Sequence, residues 1–181
     1  ARLAYFLNLR GPTMAINTAC SSGLVAAHQA VSSLRNGECD TAIAAGANIM
    51  FSPKAYITMA QAGMLSDDGS CKAFDTRANG LVPGEAVAVI VLKTLSLAQS
   101  AGDPIQALIC GSGVNYDGKT NGITAPSGMS QTELLINTYE KYGIDPEEIS
   151  YIVSHGTGTK LGDPIEINGL GEAVKDQAGL L

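Results

Sequence analysis

Cys20 is the first residue whose setting indicates chemistry. It lies in the segment Asn17–Ser22, directly after a predicted strand over 13–17 and at the first turn of a predicted helix. Unpaired backbone N–H groups and the helix dipole favour an anion at a helix start, so a thiol there can lose its proton and act as a nucleophile. The alternative is a small buried cysteine that only packs against its neighbours.

His155 is the second candidate. It ends the apolar run Ile149–Ser154 and precedes Gly156–Thr159, where small residues let a ligand approach the backbone. Ligands of α/β proteins usually bind at strand ends. The hydroxyls of Thr157 and Thr159 suit an amide-bearing or phosphorylated ligand, but they suit capping equally well. For His155 the alternative is a turn residue whose ring binds a neighbouring carbonyl.

Asp163 and Glu166 form a D-x-x-E pattern with Pro164 at the first helical position. This pattern is a complete N-terminal capping signature. From the residues alone, the two carboxylates are therefore predicted to cap a helix and not to take part in catalysis.

The other cysteines and the second histidine carry no comparable signal. Cys39 follows a predicted helix end, Cys71 lies in a loop and Cys110 closes an apolar strand, so packing or passive exposure explains them. Because no CxxC pair occurs, neither a zinc site nor a disulfide framework is predicted. His28 falls within the helix after Cys20 and is predicted to be structural.

Alternating strand and helix patterns surround these residues. Apolar spacings of three and four predict a helix that ends at Asn36-Gly37, and seven consecutive apolar residues make Ala86–Leu92 the strongest buried strand. Further strands are predicted at 41–50, 105–110 and 149–154. Further helices are predicted at 96–100, from a Ser130/Glu133 capping box to an end at Gly143, in a short turn from Asp145-Pro146, and near 163. The alternation predicts an α/β fold with mostly parallel sheets.

Composition excludes several classes of protein. The 181 residues are 45% hydrophobic and 15% charged, which excludes a disordered chain. With 11 basic and 17 acidic residues, the net charge of −6 gives no electrostatic reason to bind nucleic acid.

No apolar run approaches the roughly 18 residues of a membrane span, and no signal peptide is evident, so a cytoplasmic protein is expected. Because the chain starts without Met, it is expected to be part of a longer protein.

Thr18–Ser22 and His155–Thr159 together resemble the two characteristic sites of a β-ketoacyl synthase. Further shared motifs are Gly46–Asn48, Cys71–Asp75, Ala78–Glu85, Asn115–Gly122, Thr124–Pro126 and Leu161–Glu166. Over about residues 1–170 the chain is similar to ketosynthase domains of bacterial modular type I polyketide synthases. The resemblance implies a thiolase-like fold of five layers (αβαβα), present here as an incomplete fragment. Residues from about 1 to 100 would form the end of the N-terminal half of this fold, and residues from about 101 to 181 would form the start of its C-terminal half.

The resemblance also implies roles for individual residues. Cys20 would take the acyl chain from an acyl carrier protein as a thioester, and His155 would help to decarboxylate the malonyl extender and stabilise the enolate. Thr157 and Thr159 would bind the phosphopantetheine arm of the carrier protein. Asp163, Glu166 and Glu85 would form a supporting polar network. No metal and no directly bound cofactor are expected, and the family usually forms a homodimer.

Two other functions remain open. A Cys-His acyl hydrolase or acyltransferase would use His155 to deprotonate Cys20, and it would need a third, orienting group. A ketosynthase-like docking domain would not condense acyl groups, although the intact Cys20 and His155 weigh against it. The family's second catalytic histidine, its lysine and its glycine-rich loop have no match in this sequence, so the segment alone is expected to be inactive.

Overall fold

Six α-helices and two β-strands are formed in residues 2–178, which the computed structural model describes. In chain order they are α1 (Arg2–Phe6), α2 (Ser22–Arg35), β1 (Thr41–Asn48), α3 (Lys54–Gln61), β2 (Ala86–Lys93), α4 (Leu95–Ala101), α5 (Gly128–Tyr142) and α6 (Gly162–Ala178), with a 3-10 helix at Pro146–Glu148. The chain divides into two compact units. None of the helices in the described part is both long and apolar enough to cross a membrane.

The first unit, Ala1–Ile49 with Glu85–Ile109, is built on one pair of strands. β1 and β2 pair antiparallel, in a register that joins Thr41 to Lys93 at one end. The parallel sheet predicted from the alternation of elements is therefore wrong for this pair. Consecutive strands of a parallel sheet are joined by a crossover, and the chain between β1 and β2 includes α3 but returns in the opposite direction.

Helix α2 covers one face of β1. Val31 and Leu34 of the helix are buried, as is Ala44 of the strand. The two backbones come close where Gly23 faces Gly46, since a Cβ atom added to Gly46 would lie 3.6 Å from the Cα of Gly23. The helix that follows Cys20 is thus fixed to the sheet through small residues.

β2 forms as its apolar sequence predicts, but the prediction that it is buried is wrong. Val87, Val89 and Val91 are 61%, 58% and 67% exposed. Within the described part of the chain, α2 packs mainly on β1 and leaves much of β2 uncovered. An apolar run predicts a strand, but its burial depends on a second layer that the run does not supply.

Three other predicted strands are not formed. Residues 13–17, 105–110 and 149–154 lie outside the sheet of the described chain. A strand needs the backbone hydrogen bonds of a neighbouring strand, and between residues 2 and 178 these segments have none that makes a sheet with them.

The second unit, Met50–Gly84 with Cys110–Leu181, is organised around α5 and α6, which pack against each other. The contact is close because a Cβ atom added to Gly169 would lie 3.4 Å from the carbonyl oxygen of Gly128. The Thr132 hydroxyl also donates to the Gly169 carbonyl at 3.1 Å. This packing sets the position of the start of α6.

The ends of α5 show which local predictions hold. Ser127 is the N-cap, and its hydroxyl accepts from the Ser130 N–H at 3.2 Å, so the predicted capping box of Ser130 and Glu133 is wrong. The predicted end of α5 at Gly143 is confirmed, since Gly143 is the C-cap residue and has a left-handed φ of 60°. The predicted helical turn after Asp145 is confirmed as the 3-10 helix.

Candidate active site

Cys20 lies in a tight turn directly before α2. Ala19 has a left-handed φ of 56°, and Ser21 is the N-cap residue of the helix. Cys20 therefore precedes the cap and does not occupy the first helical turn, where the sequence placed it. A left-handed conformation costs a residue with a Cβ atom roughly 1–2 kcal/mol, so neighbouring contacts must hold this turn.

Hydrogen bonds from Thr18, Ser21 and Ser22 supply these contacts. The Ser22 hydroxyl donates to the Ala19 carbonyl at 2.6 Å and accepts from the Thr18 N–H at 2.9 Å. The Ser21 hydroxyl donates to the Thr18 carbonyl at 2.8 Å. The Cys20 side chain itself is exposed, so the thiol fills no core within its unit. The two serines after Cys20 thus fix the backbone and leave the thiol accessible.

His155, Thr157 and Thr159 lie in the second unit on one loop, His155–Thr159, which we call the histidine loop. Glu166 of α6 binds its beginning, because its two carboxylate oxygens accept from the His155 N–H at 2.6 Å and from the Gly156 N–H at 2.9 Å. The side chain of His155 is exposed. The backbone that carries the histidine is therefore held by a carboxylate while the ring stays accessible.

Asp163 binds the end of the same loop. It is only 3% exposed, and its Oδ1 accepts from the Gly158 N–H at 3.1 Å and from the Thr159 N–H at 3.4 Å. The prediction that Asp163 and Glu166 cap α6 is wrong, because both carboxylates turn back to the loop. Thr159 does the capping, since its hydroxyl accepts from the Gly162 N–H at 3.1 Å.

The hydroxyls of Thr157 and Thr159 are paired. Their oxygens are 3.0 Å apart, and the Thr157 hydroxyl also donates to Asp163 at 3.5 Å. Both residues are partly buried. A hydroxyl pair of this kind can accept from an amide N–H or donate to a carbonyl oxygen, because each hydroxyl has one proton and two lone pairs.

A further contact reaches the loop from a distant part of the chain. The Phe74 N–H donates to the Oδ2 atom of Asp163 at 2.7 Å. Phe74 lies in the segment Cys71–Asp75, one of the motifs shared with the β-ketoacyl synthases, but the sequence alone predicts no role for it. No local pattern of residue types indicates this hydrogen bond, because the two residues are 89 positions apart.

The loop that contains Phe74 also holds a charged cluster. Lys72 Nζ lies 2.7 Å from both carboxylate oxygens of Asp68, and the Ser66 hydroxyl lies 2.8 Å from one of them. Hydrogen bonds from Lys72, and then from Ser66, hold the pKa of the Asp68 carboxyl well below its usual range. In the same way, hydrogen bonds from Arg77 lower the pKa of Asp75. These bonds fix the loop internally.

The remaining predicted site residues are divided between the units. Glu85 directly precedes β2, is exposed, and belongs to the first unit with Cys20. Asp163 and Glu166 belong to the second unit with His155. Across residues 2–178, no three His, Cys, Asp or Glu side chains are grouped so that they could hold a metal ion.

Curated proteins similar to this chain are polyketide synthases. Polyketide synthase ThaG of Burkholderia thailandensis is 56% identical over 179 residues, which is 99% of this chain and 3% of that protein. Polyketide synthase PksL of Bacillus subtilis is 54% identical over 177 residues, 98% of this chain and 4% of that protein. The chain therefore spans only a few per cent of the length of these relatives.

Solved structures of ketosynthases have the same fold. The ketosynthase from module 6 of the bacillaene synthase of Bacillus subtilis 168 is 53% identical with a TM-score of 0.95, over 97% of this chain and 32% of that one. A Streptomyces albus oxazolomycin ketosynthase domain is 38% identical with a TM-score of 0.95, over 97% of this chain and 30% of that one. These matches confirm the predicted α/β, thiolase-like fold, of which this chain is a part.

Family models agree with both comparisons. The model of the β-ketoacyl synthase N-terminal domain matches residues 1–98, and that of the C-terminal domain matches residues 106–180. The resemblance of the motifs around Cys20 and His155 to this family is thereby confirmed. The chain belongs to the β-ketoacyl synthase family and is similar to segments of the ketosynthase domains of bacterial polyketide synthases.

Proposed function

We propose that the protein containing this chain is a β-ketoacyl-acyl carrier protein synthase of polyketide biosynthesis. It would join an acyl chain to a malonyl-type extender by decarboxylative Claisen condensation. The observation that carries the proposal is the turn before α2, where a left-handed Ala19 precedes an exposed Cys20 in a chain of this family. Such a turn presents a thiol at the start of a 14-residue helix.

Acyl loading is the first step of the proposed reaction. The Cys20 thiolate attacks the thioester carbonyl of the acyl group on the carrier protein, and the thiolate of the phosphopantetheine arm leaves and takes up the proton that Cys20 has lost. A new thioester to Cys20 results. Backbone N–H groups at the start of α2 are suited to bind the oxyanion of this transfer.

Decarboxylation and condensation follow. The malonyl thioester loses carbon dioxide, and the electrons of the broken C–C bond form an enolate. His155 donates a hydrogen bond to the thioester oxygen on which the charge develops. The enolate carbon attacks the acyl thioester, the new C–C bond forms, and the Cys20 thiolate leaves. The two bonds from Glu166 to the loop backbone support this role, since a donor must be held in place before the charge appears.

The paired hydroxyls of Thr157 and Thr159 fit the amide groups of a phosphopantetheine arm, which the partner acyl carrier protein would bring to the site. Asp163 supports this assignment, because it fixes the Thr159 backbone and accepts from the Thr157 hydroxyl. A role for Glu85 in the same network, a homodimer and a cytoplasmic location remain parts of the proposal.

Two substitutions in the complete synthase test the proposal. Cys20→Ala should abolish acyl loading, whereas His155→Ala should still load but should condense on the order of a hundredfold more slowly. Intact-protein mass spectrometry after incubation with an acyl thioester measures loading, and product formation from a malonyl-carrier protein measures condensation. Cys39→Ala, at a half-buried cysteine of the first unit, is the matched control and should retain both.

The same variants discriminate between the proposed synthase and a Cys-His hydrolase. A hydrolase histidine would have to deprotonate the thiol before any acyl transfer, so His155→Ala would then stop loading as completely as Cys20→Ala. A wild-type protein that loads acyl groups but forms no condensation product would instead favour the docking domain.

A further inference from the structure

A ten-residue segment, Cys71–Gly80, reaches the histidine loop from another part of the second unit; we call it the strap. The Cys71 thiol donates to the Gly156 carbonyl at 3.6 Å, and the Gly80 N–H donates to the Gly158 carbonyl at 3.0 Å. Between these two contacts, Phe74 donates its N–H to Asp163, which in turn binds Gly158. The strap is thus bonded to the loop at its start, its middle and its end.

The packing between strap and loop is equally close. A Cβ atom added to Gly156 would lie 3.3 Å from the Cβ of Ala73 and 3.5 Å from the Phe74 ring. A Cβ atom added to Gly158 would lie 3.1 Å from both the Lys72 nitrogen and the Gly80 oxygen. The two glycines of the loop therefore lie in tight contact with the strap, and a change in the path of the strap would alter these contacts.

Phe74 sets that path. It is one of three non-glycine residues with a positive φ in the described chain, with a value of 59°. The chain bends at this residue, so that Cys71 before it and Gly80 after it both reach the loop. A left-handed conformation at a large side chain persists only where the surrounding contacts enforce it, and such residues concentrate at functional sites. Phe74 is 46% exposed, so burial of its side chain does not by itself explain the conformation.

We propose that Phe74 is a positioning residue for the condensation step. Its left-handed backbone keeps the strap in the form that binds Asp163 and Gly158, and so holds His155, Thr157 and Thr159 in place. Phe74 acts through the loop backbone and touches no reacting atom in this scheme. The inference rests on the proposed function, because the step that it supports is condensation on an enolate held by His155.

A matched pair of substitutions in the complete synthase separates the backbone conformation from the aromatic ring. Phe74→Val and Phe74→Gly both remove the ring, but valine resists a positive φ whereas glycine adopts it freely. Phe74→Val should lower kcat/KM for condensation about tenfold, which corresponds to the cost of a disfavoured backbone conformation. Phe74→Gly should stay within about threefold of wild type, and acyl loading on Cys20 should be unchanged in both.

Each other outcome overturns the inference. Equal losses in the two variants would assign the effect to the ring, and a parallel fall in loading and condensation would mean that the whole domain is disturbed. Wild-type rates in both variants would leave the strap without a role in catalysis. A wild-type synthase that loads but does not condense would instead contradict the proposed function itself, so the two failures are distinguishable.

Discussion

Asp163→Asn is the sharpest test of how the histidine loop is held. The carboxylate of Asp163 is 3% exposed and accepts three backbone hydrogen bonds, from Phe74 at 2.7 Å, Gly158 at 3.1 Å and Thr159 at 3.4 Å. Asparagine has the same shape, but one of its two terminal atoms is an NH₂ group. Whichever way the amide turns, at least one backbone N–H then faces another donor.

The expected cost follows from these contacts. A buried N–H that loses its acceptor costs about 1–3 kcal/mol. Hydrogen bonds to a charged group contribute about 1.5–3 kcal/mol each, roughly twice those to a neutral oxygen, so the remaining bonds weaken as well. Together these effects should lower the free energy of unfolding of the complete ketosynthase domain by about 3–5 kcal/mol.

Denaturant unfolding followed by circular dichroism measures this loss, and Glu172→Gln is the matched control. Glu172 also lies on α6, but it is 60% exposed in its ion pair with Lys175 and should change stability by less than about 0.5 kcal/mol. If Asp163→Asn cost less than about 1 kcal/mol, or no more than the control, the carboxylate would not be what holds the loop.

Two further predictions concern the loop before β2. Gly80→Ala should destabilise the domain by more than about 3 kcal/mol, because the added Cβ atom would overlap the backbone of Leu65 and because φ at Gly80 is 145°. Gly84→Ala is the control and should be well tolerated, since the space around Gly84 is open. Thermal unfolding measures both, and similar losses of stability in the two variants would contradict the geometry. Lys72→Ala should raise the pKa of Asp68 towards its usual value in a carboxyl NMR titration. Because the lowered pKa belongs to the folded state, the stability that it contributes is present at neutral pH and is lost as the pH falls through the folded-state value. The variant should therefore be slightly less stable than wild type at neutral pH, by the small amount expected of an exposed ion pair, and this difference should shrink in acid. An unchanged pKa would remove Lys72 as its main cause.

Predictions of where a helix ends hold well. α2 ends at the predicted Asn36, and α5 ends at the predicted Gly143, whose left-handed φ is what glycine allows. These ends are set by the residue's own conformational range and by bonds within one helical turn. The segments 105–110 and 149–154 are equally apolar, but a strand also requires a partner, which their own sequence does not contain.

The candidate site shows the same limit more clearly. The D-x-x-E pattern of Asp163 and Glu166 meets every local condition for a cap, yet both carboxylates bind the histidine loop. Which N–H groups these carboxylates bind depends on where the packing of α5 and α6 places the start of α6. The motif around Cys20 was recognisable because its turn is made by adjacent residues, whereas the contact from Phe74 crosses 89 positions and has no local signature.

The distance in sequence between Phe74 and Asp163 also determines when the histidine loop can form during synthesis of the chain. Phe74 and Asp163 are 89 positions apart, and chains are synthesised at about 5–20 residues per second, so Phe74 leaves the ribosome roughly 4–18 s before its partner. Small elements such as a helix form within microseconds, far faster than this interval. The strap must therefore remain without its partner while the intervening residues, including α5, are made and fold. The loop that carries His155 can therefore be fixed to the strap only after α6 has emerged from the ribosome.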